Sequence, residues 1–133
     1  MIEDIKIGDT FTSKMVVDEK SSTTRGEYQI FSTPDLVLFI ELTAISHLNQ
    51  FISDDQSSVG TKIEVAHQAA TLLGQEVIAK VTVSEVDRRR VQFIVEVSDE
   101  IDTVAVGTHE RFIIDVKKFT DRLGEKRALV DKL

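Results

Sequence analysis

The chain has 133 residues, 41% of them hydrophobic and 29% charged, a composition typical of a single globular domain spanning residues 1–133. Its 23 acidic and 16 basic side chains give a formal net charge of −7, which argues against nucleic acid as the main partner because phosphate binding needs a cationic surface. The absence of cysteine excludes disulfides, thiolate catalysis and cysteine-ligated zinc.

The first elements of the chain are predicted to be extended or irregular. Residues Thr10–Val17 are rich in β-prone side chains and suit a strand. Residues Asp18–Arg25 are polar and suit a loop, and Tyr28–Phe31 suits a short extended segment.

A long helix is predicted next. Thr33 suits its N-cap, Pro34 its first position and Asp35 the positive end of its dipole. About 18 residues fit this helix, and apolar side chains cover most of its circumference. We therefore expect the helix to be buried on most sides.

The second half of the chain is predicted to be a set of strands. Residues Ser53–Gly60 are polar and suit a connection, and from Gly60 onward apolar side chains recur at every second position. Turns are predicted at 87–90 and 98–102, and such tight turns join antiparallel neighbours. The predicted strands are Gly60–His67, Val77–Val83, Val91–Val97 and Val104–Val116, followed by a charged tail at 118–133 that suits a short exposed helix.

This order of elements is typical of the hot-dog architecture, an α+β fold in which a curved antiparallel sheet wraps one long central helix. A ferredoxin-like fold needs two helices in crossovers, and a barrel would have to be large to enclose such a helix. The hot-dog sheet keeps a free edge and its helix is incompletely covered. A homodimer that continues the sheet is therefore expected.

Neither a membrane-spanning segment nor a metal site is expected. The longest apolar run, Leu36–Ile40, is too short to span a bilayer, and the acidic N-terminus Met1–Asp4 lacks the layout of a signal peptide. We therefore expect a soluble cytoplasmic protein without a membrane partner.

The chain has three histidines, His47, His67 and His109. None of them form a His-x-x-x-His spacing, so no metal site is expected.

Two ionisable residues are candidates for chemistry. Glu41 lies within the apolar helix, where an unpaired carboxylate is costly unless it has a partner or a function. His67 ends a predicted strand in phase with Ile63 and Val65, so its ring should face inward, either as a satisfied core residue or as a catalyst. The structural alternative for Glu41 is a narrow polar stripe that it shares with Thr43, Ser46 and Asn49.

Other positions also have both a structural and a functional interpretation. Thr33 is a helix cap or a hydroxyl beside N–H groups that stabilise an oxyanion. Gly60 is a loop glycine or a point where a ligand approaches the main chain. Arg88–Arg90 form a solvated turn or contact a phosphate. The segment Gly107–Arg111 places four hydrogen-bonding side chains in one strand, and alternation sends two of them to each face.

These residues, in this order and at these separations, resemble the fluoroacetyl-CoA thioesterase-like family of hot-dog proteins. The segment Val59–Thr71 is similar to the family's segment around its catalytic histidine. The segments Gly107–Arg111, Gly8–Thr12 and Lys118–Phe119 are similar to other parts of the family's sequence. The resemblance covers the chain up to residue 119.

The resemblance implies hydrolysis of an acyl-CoA thioester at a dimer interface, with Thr33, Glu41 and His67 acting together. It also implies that Gly60 and Arg111 contribute to the substrate site, and that no cofactor is needed beyond the coenzyme A of the substrate. Glu41 would act as general base on water or as nucleophile on the thioester carbonyl. The acyl pocket is expected to be shaped by apolar helix residues, namely Leu36, Val37 and Phe39.

The chain departs from the family before the helix. Glu27–Ser32 is shorter than the aromatic-rich lid of the fluoroacetyl-specific enzyme, and Pro34 and Asp35 replace small apolar residues. We therefore expect a general short acyl group as substrate. The alternative is a hot-dog protein that binds an acyl-CoA or a small apolar ligand without turnover. A hot-dog hydratase is disfavoured because no Asp precedes His67 at the spacing such enzymes use.

Overall fold

A computed structural model describes all 133 residues. Five strands form one antiparallel sheet in the order β1-β5-β6-β7-β4, and β2 and β3 form a separate hairpin. Helix α1 packs on this sheet against β1, β4 and β5, which is the predicted hot-dog arrangement. The elements are β1 Thr10–Val16, β2 Ser22–Arg25, β3 Tyr28–Phe31, α1 Thr33–Leu48, β4 Gln56–His67, β5 Glu76–Asp87, β6 Arg90–Ser98, β7 Thr103–Asp115 and α2 Val116–Val130.

The core lies between α1 and the sheet. On α1, fully buried residues recur every fourth position, which places them on one face of the helix; they are Leu36, Ile40, Ala44 and Leu48. On the sheet, alternate residues of β5 and β6 are buried, among them Val77, Val81, Val91 and Val95. Each large aliphatic side chain in this layer contributes about 1.5–3 kcal/mol by burial.

The start of α1 differs from the prediction in a way that matters for the site. Ser32 is the N-cap, because its hydroxyl accepts a hydrogen bond from the backbone N–H of Asp35. Thr33, predicted as the cap, is instead the first helical residue. Its hydroxyl is therefore free to interact with another part of the chain. The C-terminal end of α1 is also earlier than expected, at Leu48.

Two predicted loops contain strands. Ser22–Arg25 pairs with Tyr28–Phe31 through a two-residue turn, and Gly26 in that turn has a φ of +60°. Strand β4 begins at Gln56 rather than at Gly60, because Gln56–Val59 pairs with the last residues of β7. Both strand segments were missed in the sequence because their residues are mostly polar and show little of an apolar face.

Strand β4 pairs with β7 and leaves its other edge unpaired, so β4 and β1 are the two edges of the main sheet. Strand β5, which follows β4 in the chain, pairs with β1 and β6 instead. Helix α2 has no buried residue, and Phe119 is its only half-buried side chain. Neither α-helix combines the length and apolarity that a membrane crossing requires.

Candidate active site

Thr33 and His67 form one part of the predicted site. Thr33 opens α1 and His67 ends β4, and Thr33 Oγ1 lies 2.9 Å from His67 Nδ1. The other ring nitrogen, Nε2, is buried and has no hydrogen-bond partner in the chain. A buried polar atom normally has a hydrogen-bond partner, so this nitrogen is an unsatisfied group of the candidate site.

Glu41, Gly60 and Arg111 form a second part. Glu41 lies on α1 with its side chain 35% exposed, and its Oε2 accepts a hydrogen bond of 3.2 Å from Arg111 Nη1. A Cβ at position 60 would lie 2.9 Å from the same carboxylate oxygen. A side chain at position 60 would therefore displace the Glu41 carboxylate, so the glycine is explained by this close approach and not by a loop conformation.

Arg111 is held by several partners along its buried side chain, which is 4% exposed. Its Nε donates to Ser58 Oγ at 2.9 Å, and its Nη2 donates to the carbonyl oxygen of Ser58 at 3.1 Å. Burial lowers the pKa of Arg111, and the hydrogen bond to Glu41 opposes this effect. The guanidinium is thus fixed in one orientation toward the Glu41 carboxylate.

His109 completes the surroundings of Arg111, and its two ring contacts fit one tautomer. Its Nδ1 donates to the carbonyl oxygen of Lys62 at 2.8 Å, and its Nε2 faces Arg111 Nη1 at 3.3 Å as an acceptor. Burial lowers the pKa of His109, and the charge of Arg111 lowers it further. A neutral imidazole protonated on Nδ1 satisfies both contacts.

Sequence alternation predicted an inward pair within Gly107–Arg111, and His109 and Arg111 are that pair. Ser58, which binds Arg111 twice, was missed because it lies in the segment predicted as a connection. Its distance of 53 residues from Arg111 in the chain leaves no local signal for the contact. Only the pairing of β4 with β7 brings the two together.

A β-bulge aligns the two parts of the site on one face of the sheet. The β4–β7 register shifts between Gly60 and Lys62, so Thr61 is the extra residue. Without the bulge, Gly60 and His67 would face opposite sides, because they are seven positions apart. With it, Gly60 pairs with the inward Arg111, while Ile63, Val65 and His67 keep the inward phase.

The Thr33–His67 pair borders a cavity of about 560 Å³. Its walls are the β2–β3 hairpin, the start of α1 and the segment that follows β4. The lining includes both hydroxyl and apolar side chains: Thr23, Arg25, Ile30, Phe31, Ser32, Thr33, Pro34, His67, Gln68, Ala69 and Ala70.

The predicted acyl-pocket residues lie elsewhere. Leu36 and Phe39 are buried in the core, and Val37 is half-buried on the side of α1 away from that core. None of the three lines the cavity beside His67, so their contribution to an acyl pocket stays a prediction.

Most of the arginine cluster at the β5–β6 turn is engaged within the chain. Arg89 pairs with Asp115 at 3.1 Å, and Arg90 pairs with Glu85 and Glu110 at 2.6 and 3.0 Å. Arg88 is highly exposed and adopts a φ of +56° in the turn. The chain brings together no group of three or more His, Asp and Glu side chains suited to a metal ion.

Within one protomer the two parts of the site remain separate. The hydrogen-bonding partner of Glu41 is Arg111, and no hydrogen bond joins Glu41 to Thr33 or His67. The predicted convergence of the three side chains is therefore not present in a single chain.

Comparisons with known proteins identify the family of the chain. Residues 11–117 match the family model described as fluoroacetyl-CoA-specific thioesterase. The fluoroacetyl-CoA thioesterase of Streptantibioticus cattleyicolor is 29% identical over 136 residues, which are 95% of this chain and 97% of that protein.

Solved structures give the same result. The fluoroacetyl-CoA thioesterase FlK superposes with a TM-score of 0.84 at 27% identity, over 92% of this chain and 97% of that one. A hot-dog-like protein from Thermanaerovibrio acidaminovorans gives 0.82 at 25% identity, over 90% and 91%. A thioesterase superfamily member from Thermus thermophilus gives 0.89 at 21% identity, over 97% and 98%, and supports the fold alone.

The predicted family, the hot-dog fold and the enzyme class of thioester hydrolase are confirmed by these matches. The family match extends from β1 into the first residues of α2, so it includes both parts of the site. The chain belongs to the fluoroacetyl-CoA-specific thioesterase family.

Proposed function

We propose that this protein hydrolyses short acyl-CoA thioesters as a homodimer, with Thr33 and His67 of one protomer acting on the same thioester as the partner's Glu41. The observation that carries the proposal is the Thr33–His67 hydrogen bond, which leaves a buried imidazole nitrogen without a partner beside a cavity. Acyl-CoA is supported as the substrate class by a relative, FlK, a mutant of which has a solved structure in complex with fluoroacetate and CoA.

Two surfaces support the dimer. Strand β4 is an edge strand of 12 residues whose outer backbone groups are unpaired, and such an edge favours pairing with a second copy. On α1, Leu38 and Leu42 are 51% and 50% exposed and lie one turn apart, flanking Glu41. An isologous contact would bury both surfaces at once.

The proposed two-fold axis lies near the middle of β4. Gly60 and His67 lie on the same face of the strand, on either side of Ile63 and Glu64. An antiparallel β4–β4 pair with its axis close to those two residues places His67 of one protomer beside the partner's Gly60. Glu41 lies against Gly60, so the partner's carboxylate arrives next to the unpaired imidazole.

The first mechanism uses Glu41 as general base. Its carboxylate takes a proton from water, the water oxygen attacks the thioester carbonyl, and a tetrahedral oxyanion forms. Thr33 and the N–H groups near Gly60 or at the start of α1 stabilise that oxyanion. Collapse breaks the C–S bond, and the imidazole of His67 relays the proton held by Glu41 to the leaving thiolate, which returns both residues to their starting states.

The second mechanism uses Glu41 as nucleophile. Its carboxylate oxygen attacks the carbonyl and expels the thiolate, which leaves a mixed anhydride on Glu41 that water then hydrolyses. The two mechanisms differ in one observable: only the nucleophilic route adds the acyl mass to the enzyme. Rapid quenching followed by mass spectrometry of the intact chain and its Glu41 peptide distinguishes them.

A short acyl group is proposed in preference to a fluoroacetyl-specific one. The segment before α1 forms the compact β2–β3 hairpin, with a two-residue turn at Gly26 and Glu27. This hairpin carries one exposed aromatic residue, Tyr28, in place of an aromatic-rich lid. We therefore expect acetyl-, propionyl- and butyryl-CoA to be hydrolysed with efficiencies comparable to that of fluoroacetyl-CoA.

The first experiment measures thiol release from this panel by the wild type and by Glu41→Gln. Glu41→Gln keeps the shape of the side chain but cannot accept a proton as a carboxylate does, so kcat should fall by about a hundredfold or more. Full activity of Glu41→Gln would rule out both mechanisms. Tight binding of an intact acyl-CoA without turnover by the wild type would support the non-catalytic alternative.

The second experiment tests whether the site is shared between protomers. Chains carrying Glu41→Gln and chains carrying His67→Ala are inactive alone, but a heterodimer of the two contains one site with both residues intact. A refolded equimolar mixture should therefore recover about a quarter of wild-type activity. A matched control mixes wild type with a chain carrying both substitutions, and no recovery in the first mixture contradicts the shared site.

A further inference from the structure

The cavity beside Thr33 and His67 contains one charged side chain, Arg25. No aspartate, glutamate, lysine or second arginine is among the other lining residues. In a protein with a formal net charge of −7, a cavity lined by a cation and no anion is a local exception. Such a cavity favours a negatively charged group over a neutral one.

Arg25 has no carboxylate partner in the chain, unlike Arg88, Arg89, Arg90, Arg111 and Arg127. Its Nη1 donates to Thr23 Oγ1 at 3.1 Å and to the carbonyl oxygen of Thr24 at 2.8 Å. A guanidinium has five N–H donors, so those on Nε and Nη2 remain free for a ligand. The two local hydrogen bonds also restrict the orientation of the side chain before any ligand binds.

The hairpin that carries Arg25 is fixed to the rest of the fold. Phe31 donates its N–H to the carbonyl oxygen of Thr71 at 2.8 Å, and Leu73 donates to that of Gln29 at 3.0 Å. Arg25 itself pairs with Tyr28 across the tight turn. The wall of the cavity that bears the guanidinium is therefore held by backbone hydrogen bonds.

The acidic residues of the hairpin turn and of the start of α1 do not neutralise this wall within the cavity. Glu27 lies in the exposed turn outside the lining, and the carboxylate of Asp35 is engaged by the hydroxyl of Ser32 at the cap of α1. Thr23 adds a hydroxyl group next to Arg25 in the lining. The free N–H groups of the guanidinium suit the planar, two-oxygen geometry of a carboxylate.

We infer that the acyl group taken by this site ends in a carboxylate that binds Arg25, so that the substrates are CoA monothioesters of short dicarboxylic acids. The inference rests on the proposed function. The cavity that contains Arg25 also contains the Thr33–His67 pair, beside which the thioester carbonyl is proposed to lie. The acyl group begins at that carbonyl, whereas the phosphates of coenzyme A lie at the far end of the pantetheine arm.

The test compares succinyl-CoA with butyryl-CoA, which have the same number of acyl carbons and differ in the terminal carboxylate. The wild type should show a kcat/KM for succinyl-CoA about tenfold or more above that for butyryl-CoA. Arg25→Gln should remove this preference by lowering the succinyl-CoA value, with the butyryl-CoA value unchanged. Arg25→Lys should retain part of the preference, because it keeps the charge and loses the fork.

Arg122→Gln is the matched control. Arg122 is a second exposed arginine without a carboxylate partner in the chain, it lies on α2, and it does not line this cavity. The substitution removes one positive charge from the protein and should leave the succinyl-to-butyryl ratio unchanged. A ratio that falls equally in both variants would mean that net charge alone sets the preference, which contradicts the inference.

Two further outcomes contradict the inference while leaving the thioesterase intact. An equal loss for both thioesters in Arg25→Gln would assign Arg25 to the shared CoA moiety, and no loss for either would exclude a role in binding. If the wild type hydrolyses neither thioester, the proposed function fails separately. Calorimetric binding of the same two thioesters then decides: a preference for succinyl-CoA that Arg25→Gln removes supports the inference, and equal binding overturns it.

Discussion

Glu41 and Gly60 lie so close together that a single Cβ on residue 60 would come within 2.9 Å of the Glu41 carboxylate. They belong to different elements, α1 and β4, and Arg111 of β7 holds the carboxylate at this point through a hydrogen bond of 3.2 Å. The same Cβ would also lie 3.2 Å from Arg111 Nη1. The position of the carboxylate thus depends on the absence of a side chain on the edge strand.

The first prediction concerns Gly60→Ala. The added methyl group has to displace the Glu41 carboxylate or the Arg111 guanidinium, and a small displacement of a catalytic group has a large effect on rate. We expect kcat to fall by about tenfold or more, with a loss of unfolding free energy of only about 1–2 kcal/mol. Steady-state kinetics together with thermal unfolding separates the two effects.

Gly124→Ala is the control for this substitution. A Cβ at Gly124 meets no atom within 4 Å, and the residue lies within the exposed helix α2. Alanine has the higher helix propensity, so this variant should be more stable by up to about 1 kcal/mol and fully active. Equal activity in both glycine variants would show that the space beside Glu41 has no role.

The second prediction concerns Arg111→Lys. A lysine keeps one positive charge but cannot reproduce the contacts of the guanidinium with Glu41, Ser58 and His109. We expect kcat to fall by about tenfold or more, because the Glu41 carboxylate loses the donor that fixes its position. An unchanged kcat would show that Arg111 is structural only.

The elements that carry the fold were accessible from the sequence because their patterns are strong. The largely apolar segment from Leu36 to Leu48 indicates a buried helix, and the alternating valines of β5 and β6 indicate inward-facing strands. Strand β2 and the first part of β4 were missed because polar residues dominate them. Their strand state depends on backbone pairing with β3 and β7.

The sequence predicted which residues belong to the site but not how they are arranged in space. Glu41 and Arg111 are 70 residues apart, and their ion pair exists because β7 runs beside β4 under α1. The bulge at Thr61, which gives Gly60 and His67 a common face, has no local signature in the sequence. The resemblance to a family identified these residues, whereas strand pairing and strand register determine their arrangement.

The third prediction separates the hydroxyl of Thr33 from its shape. Thr33→Val keeps the branched side chain but removes the hydrogen bond to His67 Nδ1, and Thr33→Ser keeps the hydroxyl. Loss of this bond leaves the ring orientation and tautomer of His67 unspecified, so Thr33→Val should lose about tenfold to a hundredfold in kcat. Thr33→Ser should stay close to the wild type, and equal effects of the two substitutions would contradict a role for the hydroxyl.

The last prediction concerns His47, a buried residue of α1 outside the site. Its ring is 4% exposed, packs against Phe11, Phe51 and Phe93, and has no hydrogen bond on either nitrogen. Burial lowers the pKa of His47 below its ordinary value of 6.5, and the nearby charge of Asp9 only partly opposes this. The folded protein therefore takes up the proton less readily than the unfolded chain does.

The sign of the pH effect follows from this difference. The unfolding free energy is fully retained above the unfolded pKa of 6.5 and decreases as the pH falls below it, because protonation of His47 then favours the unfolded chain. His47→Leu removes two unsatisfied nitrogens from the core and should raise the unfolding free energy by about 1 kcal/mol or more near neutral pH.

Urea titrations of the wild type and His47→Leu at about pH 7.5 and about pH 5.5 measure the effect, since the difference between the two proteins isolates one titrating group. The stabilisation by leucine should be larger at the lower pH. The carboxylates and His109 are common to both proteins, so their contributions cancel in the comparison. An identical pH dependence in the two proteins would mean that His47 is solvated or hydrogen-bonded in solution, contrary to its position among the aromatic rings.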